Sequence, residues 1–315
     1  MKLKNETFVT EFILEGFPGS SQIQISLFIL LFMVYIATLG GNILIIVIIC
    51  LDHRLHSPMY FFLVNLSFLE TFCIAVVVPK VLLNYVTDRN SISFAACNAQ
   101  SYLYFYLYAT DFFLLTVMSM DRYVAICHPL HYSTIMSSRI CISLVLGCWV
   151  SAFFFLLPTS ILIHQLPFCG PNVIEHFFCD ASSMLTLVCA DTQLIKLMVM
   201  IVASTVLLGP LVLTILSYIY IISTMLRMQS IKGQQKAFST CTSHLTMVCL
   251  VFGSALFISV RPMQSNWLYT NKVVSVVSSI FTPLLNPFIY TLRNEKVKKV
   301  LRDLLHSKNS KKLDF

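Results

Sequence analysis

A bundle of seven membrane-crossing α-helices is the fold class this sequence predicts, an all-α membrane protein with a short amphipathic eighth helix after the last crossing. Three observations predict it. Of 315 residues, 57% are hydrophobic and 11% charged, against about a quarter charged in soluble domains. Seven windows supply the roughly 20 mostly apolar residues that a bilayer crossing needs, over residues 25–51, 58–79, 97–120, 140–162, 197–226, 237–260 and 273–292. The basic residues fall unevenly between those windows: fourteen of the twenty-one lysines and arginines lie on the side that holds residues 293–315. By the positive-inside rule that tail is cytoplasmic and the N-terminus extracellular, as an odd number of crossings requires. The net charge of +7 therefore reflects helix ends and tail, not a soluble basic face for nucleic acid.

Taken in order, residues 1–24 carry Lys2, Lys4, Glu6, Glu11 and Glu15 before any long apolar run. They read as a short exposed extracellular tail and not as a cleaved signal peptide. Asn5-Glu6-Thr7 is then a glycosylation sequon on the outer side, whereas Asn65-Leu66-Ser67 lies inside the second span and is discarded. The longest connection, residues 163–196, joins spans four and five. It carries Cys169, Cys179 and Cys189, and Cys97 tops the third span on the same side. Four cysteines in an oxidising compartment allow three pairings, and spacing does not choose among them. The other seven cysteines lie in or beside apolar runs, where thiols behave as small hydrophobes. After the seventh span, Val297, Val300, Leu301, Leu304 and Leu305 recur at helical spacing among basic residues, the pattern of a helix lying on the inner membrane surface.

Charged groups inside an apolar span are functional candidates by default. The chain has two such acids, Glu70 in the second span and Asp111 in the third. Asp121 and Arg122 sit together where the third apolar run meets its first basic side chain, as a paired latch or as an ordinary interfacial ion pair. On the third span, Tyr104, Phe105, Tyr108, Ala109 and Phe112 recur at three- and four-residue steps on one face. Such a stripe is commonly packing and here doubles as a candidate pocket wall. His176, Cys179 and Asp180 have metal-ligand chemistry, but a disulfide at Cys179 removes its thiolate, and no metal site is expected. His244, low on the sixth span, is either a state-dependent hydrogen-bond partner or a satisfied core histidine. A transporter would show paired repeats with broken helices, which the seven spans lack. An enzyme would need convergent nucleophile, metal or acid-base groups, and none is apparent beyond the two acids.

Eight stretches carry a family resemblance. They are Gly41-Asn42, LHSPMYFFLVNLSFLE from Leu55 to Glu70, Pro79-Lys80, MSMDRYVAICHPLHY from Met118 to Tyr132, HFFCD from His176 to Asp180, Ser217-Tyr218, KAFSTCTSHL from Lys236 to Leu245, and PLLNPFIYTLRN from Pro283 to Asn294. In this order and spacing they resemble the olfactory receptors of the rhodopsin-like G-protein-coupled class, and the NLSF run resembles the larger of that family's two groups. The likeness spans nearly the whole chain. It implies a receptor, not an enzyme, at the plasma membrane, which binds a small volatile odorant within the bundle and activates a stimulatory heterotrimeric G protein to raise cyclic AMP. It implies disulfides Cys97–Cys179 and Cys169–Cys189. It also implies an activation switch of Asp121, Arg122 and Tyr123 with Tyr218, His244, Asn286, Pro287 and Tyr290. The family's pocket, transferred residue by residue, adds Val202, Ala203, Val206, Phe252, Ala255, Leu256, Ser259, Val276 and Ser279. The same analogy brings Asn42 and Asn286 to the two acids, where the four would hold a sodium ion or share a proton. Arg227, Lys232, Lys236, Ser239 and Thr240 would border the G-protein contact, alongside anionic membrane lipid.

Two departures matter. Family members usually carry aspartate in span two and glutamate in span three, and here they are exchanged, which conserves charge and total length and favours direct interaction between them. Many relatives place a tyrosine where this chain has Ser259, so a ligand list does not transfer. No aspartate grips an amine at the outer end of span three, and no lysine in span seven would hold retinal; a mostly apolar cavity for an uncharged guest remains.

Overall fold

The structure, a computed structural model, describes residues 9–87, 89–169, 171–259, 268–292 and 295–310. Seven helical crossings form the bundle: α1 (Ser21–Leu51), α2 (Pro58–Thr87), α3 (Phe94–Cys127), α5 (Ser138–His164), α7 (Gln193–Leu226), α8 (Ile231–Ser259) and a broken seventh made of α9 (Leu268–Val276), a π-helical turn (Val277–Phe281) and α10 (Thr282–Leu292). Short α4 (Tyr132–Ile135) and α6 (Ala181–Leu185) lie in loops, and α11 (Glu295–Ser310) follows the last crossing. The helices overrun the apolar windows because hydropathy marks only the part in hydrocarbon, while the helical hydrogen-bond ladder continues into the interface.

Helix α3 is the axis of the bundle, packing on α2, α5, α7 and α8. It is the least apolar of the clearly spanning helices and the most enclosed. That is what a bilayer demands: polar side chains are kept where protein and not lipid surrounds them. The outward faces of α1, α5 and α7 are apolar and exposed, with Ile29, Phe32, Leu146, Phe154, Leu208 and Ile219 among them. Close approach of α1 to the seventh crossing depends on Gly41, where a Cβ would sit 3.0 Å from the Pro287 ring; small residues let membrane helices meet backbone to backbone.

The outer rim corrects one expectation. Part of the segment read as an exposed tail is a strand, β1 (Glu11–Leu14), between β2 (Ser91–Ser93) and β3 (Val173–Ile174). It runs antiparallel to β2, with Phe12 opposite Ile92, and parallel to β3, with Ile13 opposite Val173. Its alternation decides the matter: Phe12 and Leu14 are fully buried, while Glu11 and Ile13 face outward. The sequon at Asn5 lies outside the described residues, as do the side chains of Leu304 and Leu305. Val297 and Val300 of α11 are buried on the predicted stripe, and Lys299 and Arg302 are exposed.

Candidate functional site

Most of the predicted pocket residues come together between α3, α7 and α8. Tyr104 stacks on Tyr108 at 5.8 Å, Tyr108 meets Phe112 at 4.9 Å, and Phe112 meets Phe252 of α8 at 5.0 Å. Ala109, Val206 and Ala255 are buried in the same cluster, with Val202 and Leu256 packed against it. Tyr104, Phe105 and Val276 belong to an adjoining outer cluster, capped where Phe178 of the long loop lies 4.5 Å from Tyr104. Ser279 is buried and its hydroxyl donates to the Ser275 carbonyl.

Two predicted residues are placed elsewhere. Ala203 is exposed, because one step from Val202 turns about 100° around the helix and carries it off the inner face. Ser259 is exposed, and its hydroxyl donates back to the Ala255 carbonyl at 2.8 Å.

Among the few polar groups of this mostly apolar lining is the Tyr108 hydroxyl, 3.3 Å from Ser254 Oγ and 3.5 Å from the Val251 carbonyl. Sequence reading missed Ser254, although a hydroxyl in an apolar span is a signal that marks interhelical hydrogen bonds. The same signal would have found Thr116 of α3, whose Oγ1 lies 3.1 Å from both the Pro210 carbonyl and Thr214 Oγ1 of α7.

Below the pocket, Glu70 and Asp111 are both buried and near enough for their charges to interact. Asn286 Nδ2 donates to Glu70 Oε1. Asn42 Nδ2 donates to the Thr38 carbonyl at 3.0 Å and the Pro283 carbonyl at 3.2 Å, tying α1 to the seventh crossing. Asn42 Oδ1, Asp111 Oδ1 and Asn286 Oδ1 are enclosed acceptors without a donor among the described residues. An all-oxygen set with unpaired lone pairs fits a hard cation.

At the inner end, the expected Asp121–Arg122 pair is replaced by other partners. The described ion pairs are Arg54–Asp52, Arg54–Asp303 and Lys272–Glu15, none of which involves either residue. Consecutive helical residues do not face each other. Asp121 points toward the inner loop, where the Tyr132 hydroxyl donates to Oδ1 at 2.8 Å. Arg122 points into the bundle, with Nη1 2.7 Å from Met59 Sδ and Nε unpaired. Its charge reaches Tyr218, His244 and Tyr290. Tyr218 Oη and His244 Nδ1 are 2.7 Å apart, so one ring nitrogen is satisfied, while Nε2 has no partner that meets hydrogen-bond geometry among the described residues. Tyr290 is buried with its hydroxyl unpaired. Tyr123 is turned away, its hydroxyl 3.1 Å from His128 Nε2. Beyond them, Arg54 bridges Asp52 and Asp303 of α11, and its hydrogen bonds hold the Asp52 carboxyl down to about 2. Arg227 and Ser239 are exposed at this end.

On the outer face, Cys97 is bonded to Cys179 and Cys169 to Cys189, the pairings the resemblance implied. Gln100 of α3 fastens the loop a second time, accepting from the Cys179 backbone N–H at 3.1 Å and donating to the Val76 carbonyl at 3.0 Å. His176 is 2% exposed, wedged against Phe177 and Phe178, and neither ring nitrogen has a partner among the described residues. Burial pushes its imidazole down to about 4, with the Asp180 carboxylate pulling the other way. Asp180 itself caps α6, accepting from the Ser183 N–H. Among the described residues no three metal-ligating side chains converge.

Comparison with known proteins agrees with this geometry. The profile of a family described as olfactory receptor matches residues 31–308. Olfactory receptor 6T1 of Homo sapiens is 50% identical over 305 residues, covering 97% of this chain and 94% of that protein. Olfactory receptor 6X1 of Homo sapiens is 48% identical over 300 residues, covering 95% and 96%. Olfactory receptor 6E1 of Mus musculus is 46% identical over 302 residues, covering 96% of each.

Proposed function

Because this chain belongs to the olfactory receptor family, and is thus a multi-pass odorant receptor of the G-protein-coupled class and not an enzyme, we propose that it binds a small, mostly apolar volatile molecule between α3, α7 and α8 and answers by activating a stimulatory heterotrimeric G protein of the olfactory type, raising cyclic AMP. The observation that carries the reading is the lining itself. Aromatic and aliphatic walls surround a few hydroxyl groups, the Tyr108–Ser254 pair among them, and among the described residues none of the predicted lining is ionisable near neutral pH. Such a site discriminates by shape and one or two hydrogen bonds, which suits an uncharged odorant.

The inner face is the cytoplasmic one in this proposal, supported by its excess of lysine and arginine, and the N-terminus is extracellular. The switch centres on Arg122. It already stands apart from Asp121, so activation is a rearrangement of Arg122 against Tyr218, His244 and Tyr290 and not the opening of a helical ion pair. The Glu70, Asp111, Asn42 and Asn286 oxygens between pocket and switch hold a sodium ion, supported by their unpaired acceptors. A ligand moves this equilibrium only by its difference in affinity for the two states.

The test is a cyclic-AMP assay in cells with surface-verified receptor, run against volatile panels and peptide libraries. A response to volatiles alone is expected. For an agonist bearing a hydroxyl or carbonyl, Tyr108→Phe should raise the half-maximal concentration by about tenfold, the worth of one hydrogen bond. Failure of purified receptor to drive nucleotide exchange on any G protein with a confirmed agonist bound would overturn the proposal.

A further inference from the structure

One buried charge on the outer rim has no part in the pocket or the switch. Lys272 of α9 is 7% exposed, and lysines are almost never enclosed unless something holds the ammonium. A side chain of this length near a helix end ordinarily carries its charge out to water. Here it turns onto the segment that follows β1. Nζ donates to the Glu15 carbonyl at 2.9 Å and to the Gly16 carbonyl at 3.3 Å, across 257 and 256 residues of sequence, with Glu15 Oε2 at 3.9 Å.

Residues 11–17 thus form a strap on the outer face, fastened at both ends. At one end Phe12 and Leu14 are buried in the sheet with β2 and β3. At the other, Lys272 holds Glu15 and Gly16, and Phe17 stacks on Phe177 of the long loop at 5.9 Å. Phe17 and Phe177 belong to the same hydrophobic cluster as Phe178, Tyr104, Phe105 and Val276. The last side chain of the strap is therefore part of the roof over the outer half of the predicted pocket. The two fastenings differ in kind. The sheet end combines apolar burial with a backbone ladder, whereas the other end depends on one ammonium and one ring. That end also runs into Gly16-Phe17-Pro18-Gly19, which lies outside any helix or strand and has the composition of a turn.

We propose that Lys272 is the clasp of a lid. When its ammonium lets go of the Glu15 and Gly16 carbonyls, residues 15–17 swing away from α9 about the sheet end, and the outer end of the pocket is uncovered at Val276. The device rests on the reading of the bundle pocket, but its test measures access without ligand or signalling, so its failure leaves that reading untouched.

Val276 lies one turn below Lys272 on the same face of α9, so Val276→Cys reports the uncovering. Full-length receptor carrying this substitution, in nanodiscs, is labelled with a cationic trimethylammonium and an anionic sulfonate methanethiosulfonate reagent, and mass spectrometry reads the rate at each cysteine. Adding Lys272→Met should speed labelling of the introduced thiol by both reagents about tenfold, the worth of one charge-assisted hydrogen bond. Removal of a positive charge with the lid still shut would instead speed the cation and slow the anion. The enclosed native thiols Cys73, Cys148 and Cys241 should keep their rates, which a general loosening would raise. Phe17→Ala, which undoes the strap at its ring and leaves Lys272 in place, should speed both reagents in the same way and serves where Lys272→Met does not fold. Opposite shifts for the two reagents, a matching acceleration at the native thiols, or unchanged rates at the introduced thiol while hydrogen exchange at residues 14–17 quickens would overturn the proposal.

Discussion

The partner of Asp121 can be settled by a double-mutant cycle between Asp121 and Tyr132. Asp121 is 2% exposed, and the Tyr132 hydroxyl is the donor to its Oδ1, at 2.8 Å. Tyr132→Phe deletes that donor without changing shape and leaves an enclosed carboxylate oxygen unpaired. Hydrogen bonds to charged groups contribute about 1.5–3 kcal/mol, and removing one side leaves the desolvation of the other. The single variant should therefore destabilise the docked inner loop by about 2 kcal/mol, a factor of roughly 30 in its docking equilibrium. In Asp121→Asn the geometry survives without the charge, and adding Tyr132→Phe to it should cost less than about 1 kcal/mol, giving a coupling of at least 1 kcal/mol. The assay is reversible unfolding of purified receptor in detergent, or hydrogen exchange at residues 129–137 when unfolding is not reversible. Asp121 with Arg122 should show weaker coupling than Asp121 with Tyr132. A coupling under about 0.5 kcal/mol for Asp121 and Tyr132, with a larger one for Asp121 and Arg122, would refute the reasoning and restore the adjacent-residue latch.

The other predictions concern the outer loop and the acid cluster. His176 has its folded value lowered to about 4 from an ordinary 6.5. The unfolded chain therefore binds the proton more readily, and the contribution of this group is complete above pH 6.5 and lost as pH falls toward 4. The loss should reach about 3 kcal/mol. Melting curves of receptor in nanodiscs between pH 7.5 and 4 should show it, and His176→Phe should flatten that part of the profile; an equally steep profile in the variant counts against a neutral buried imidazole. Gln100→Leu removes the acceptor for the buried Cys179 N–H and should destabilise loop docking by about 1–3 kcal/mol with both disulfides intact, seen as faster exchange at residues 176–180. Replacing sodium by choline should shift an agonist's dose response to lower concentration in the parent receptor and not in Glu70→Gln; identical shifts in both would exclude these oxygens as the sodium site.

The parts of the fold that were legible in the sequence are those where one physical requirement acts alone. Length and apolarity locate a crossing without reference to any other segment, which is why all seven helices are where hydropathy puts them. The face made by Tyr104, Tyr108 and Phe112 was legible for a similar reason, since helical periodicity fixes which side chains share a side. Ala203 and Ser259 were transferred by resemblance and not by periodicity, and they are the two that turned outward. Strand β1 was hidden because four residues of alternation are too short a signal, and its pairing partners lie about 80 and 160 residues away. The donor to Asp121 was hidden because Tyr132 sits in a connection with no period to read.

What the sequence could not express at all is the unevenness of pairing along the bundle axis. Tyr108 with Ser254, Asn286 with Glu70, Thr116 with Thr214 and Tyr218 with His244 are joined across helices. Interleaved with them, Asn42 Oδ1, Asp111 Oδ1, Asn286 Oδ1, His244 Nε2, Tyr290 Oη and Arg122 Nε are enclosed and without a partner among the described residues. A network with every member satisfied would fix one arrangement of the helices. Each unsatisfied member instead raises the free energy of this arrangement by about 1–3 kcal/mol relative to one that pairs it. The π-helical turn at Val277–Phe281 interrupts the α-helical hydrogen-bond ladder of the seventh crossing five residues before Asn286. In the proposed switch, a guest of about ten heavy atoms near Tyr108, limited to a fraction of a kcal/mol per atom, needs a receptor whose two states differ by only a few kcal/mol, and unpaired groups of this kind narrow that difference.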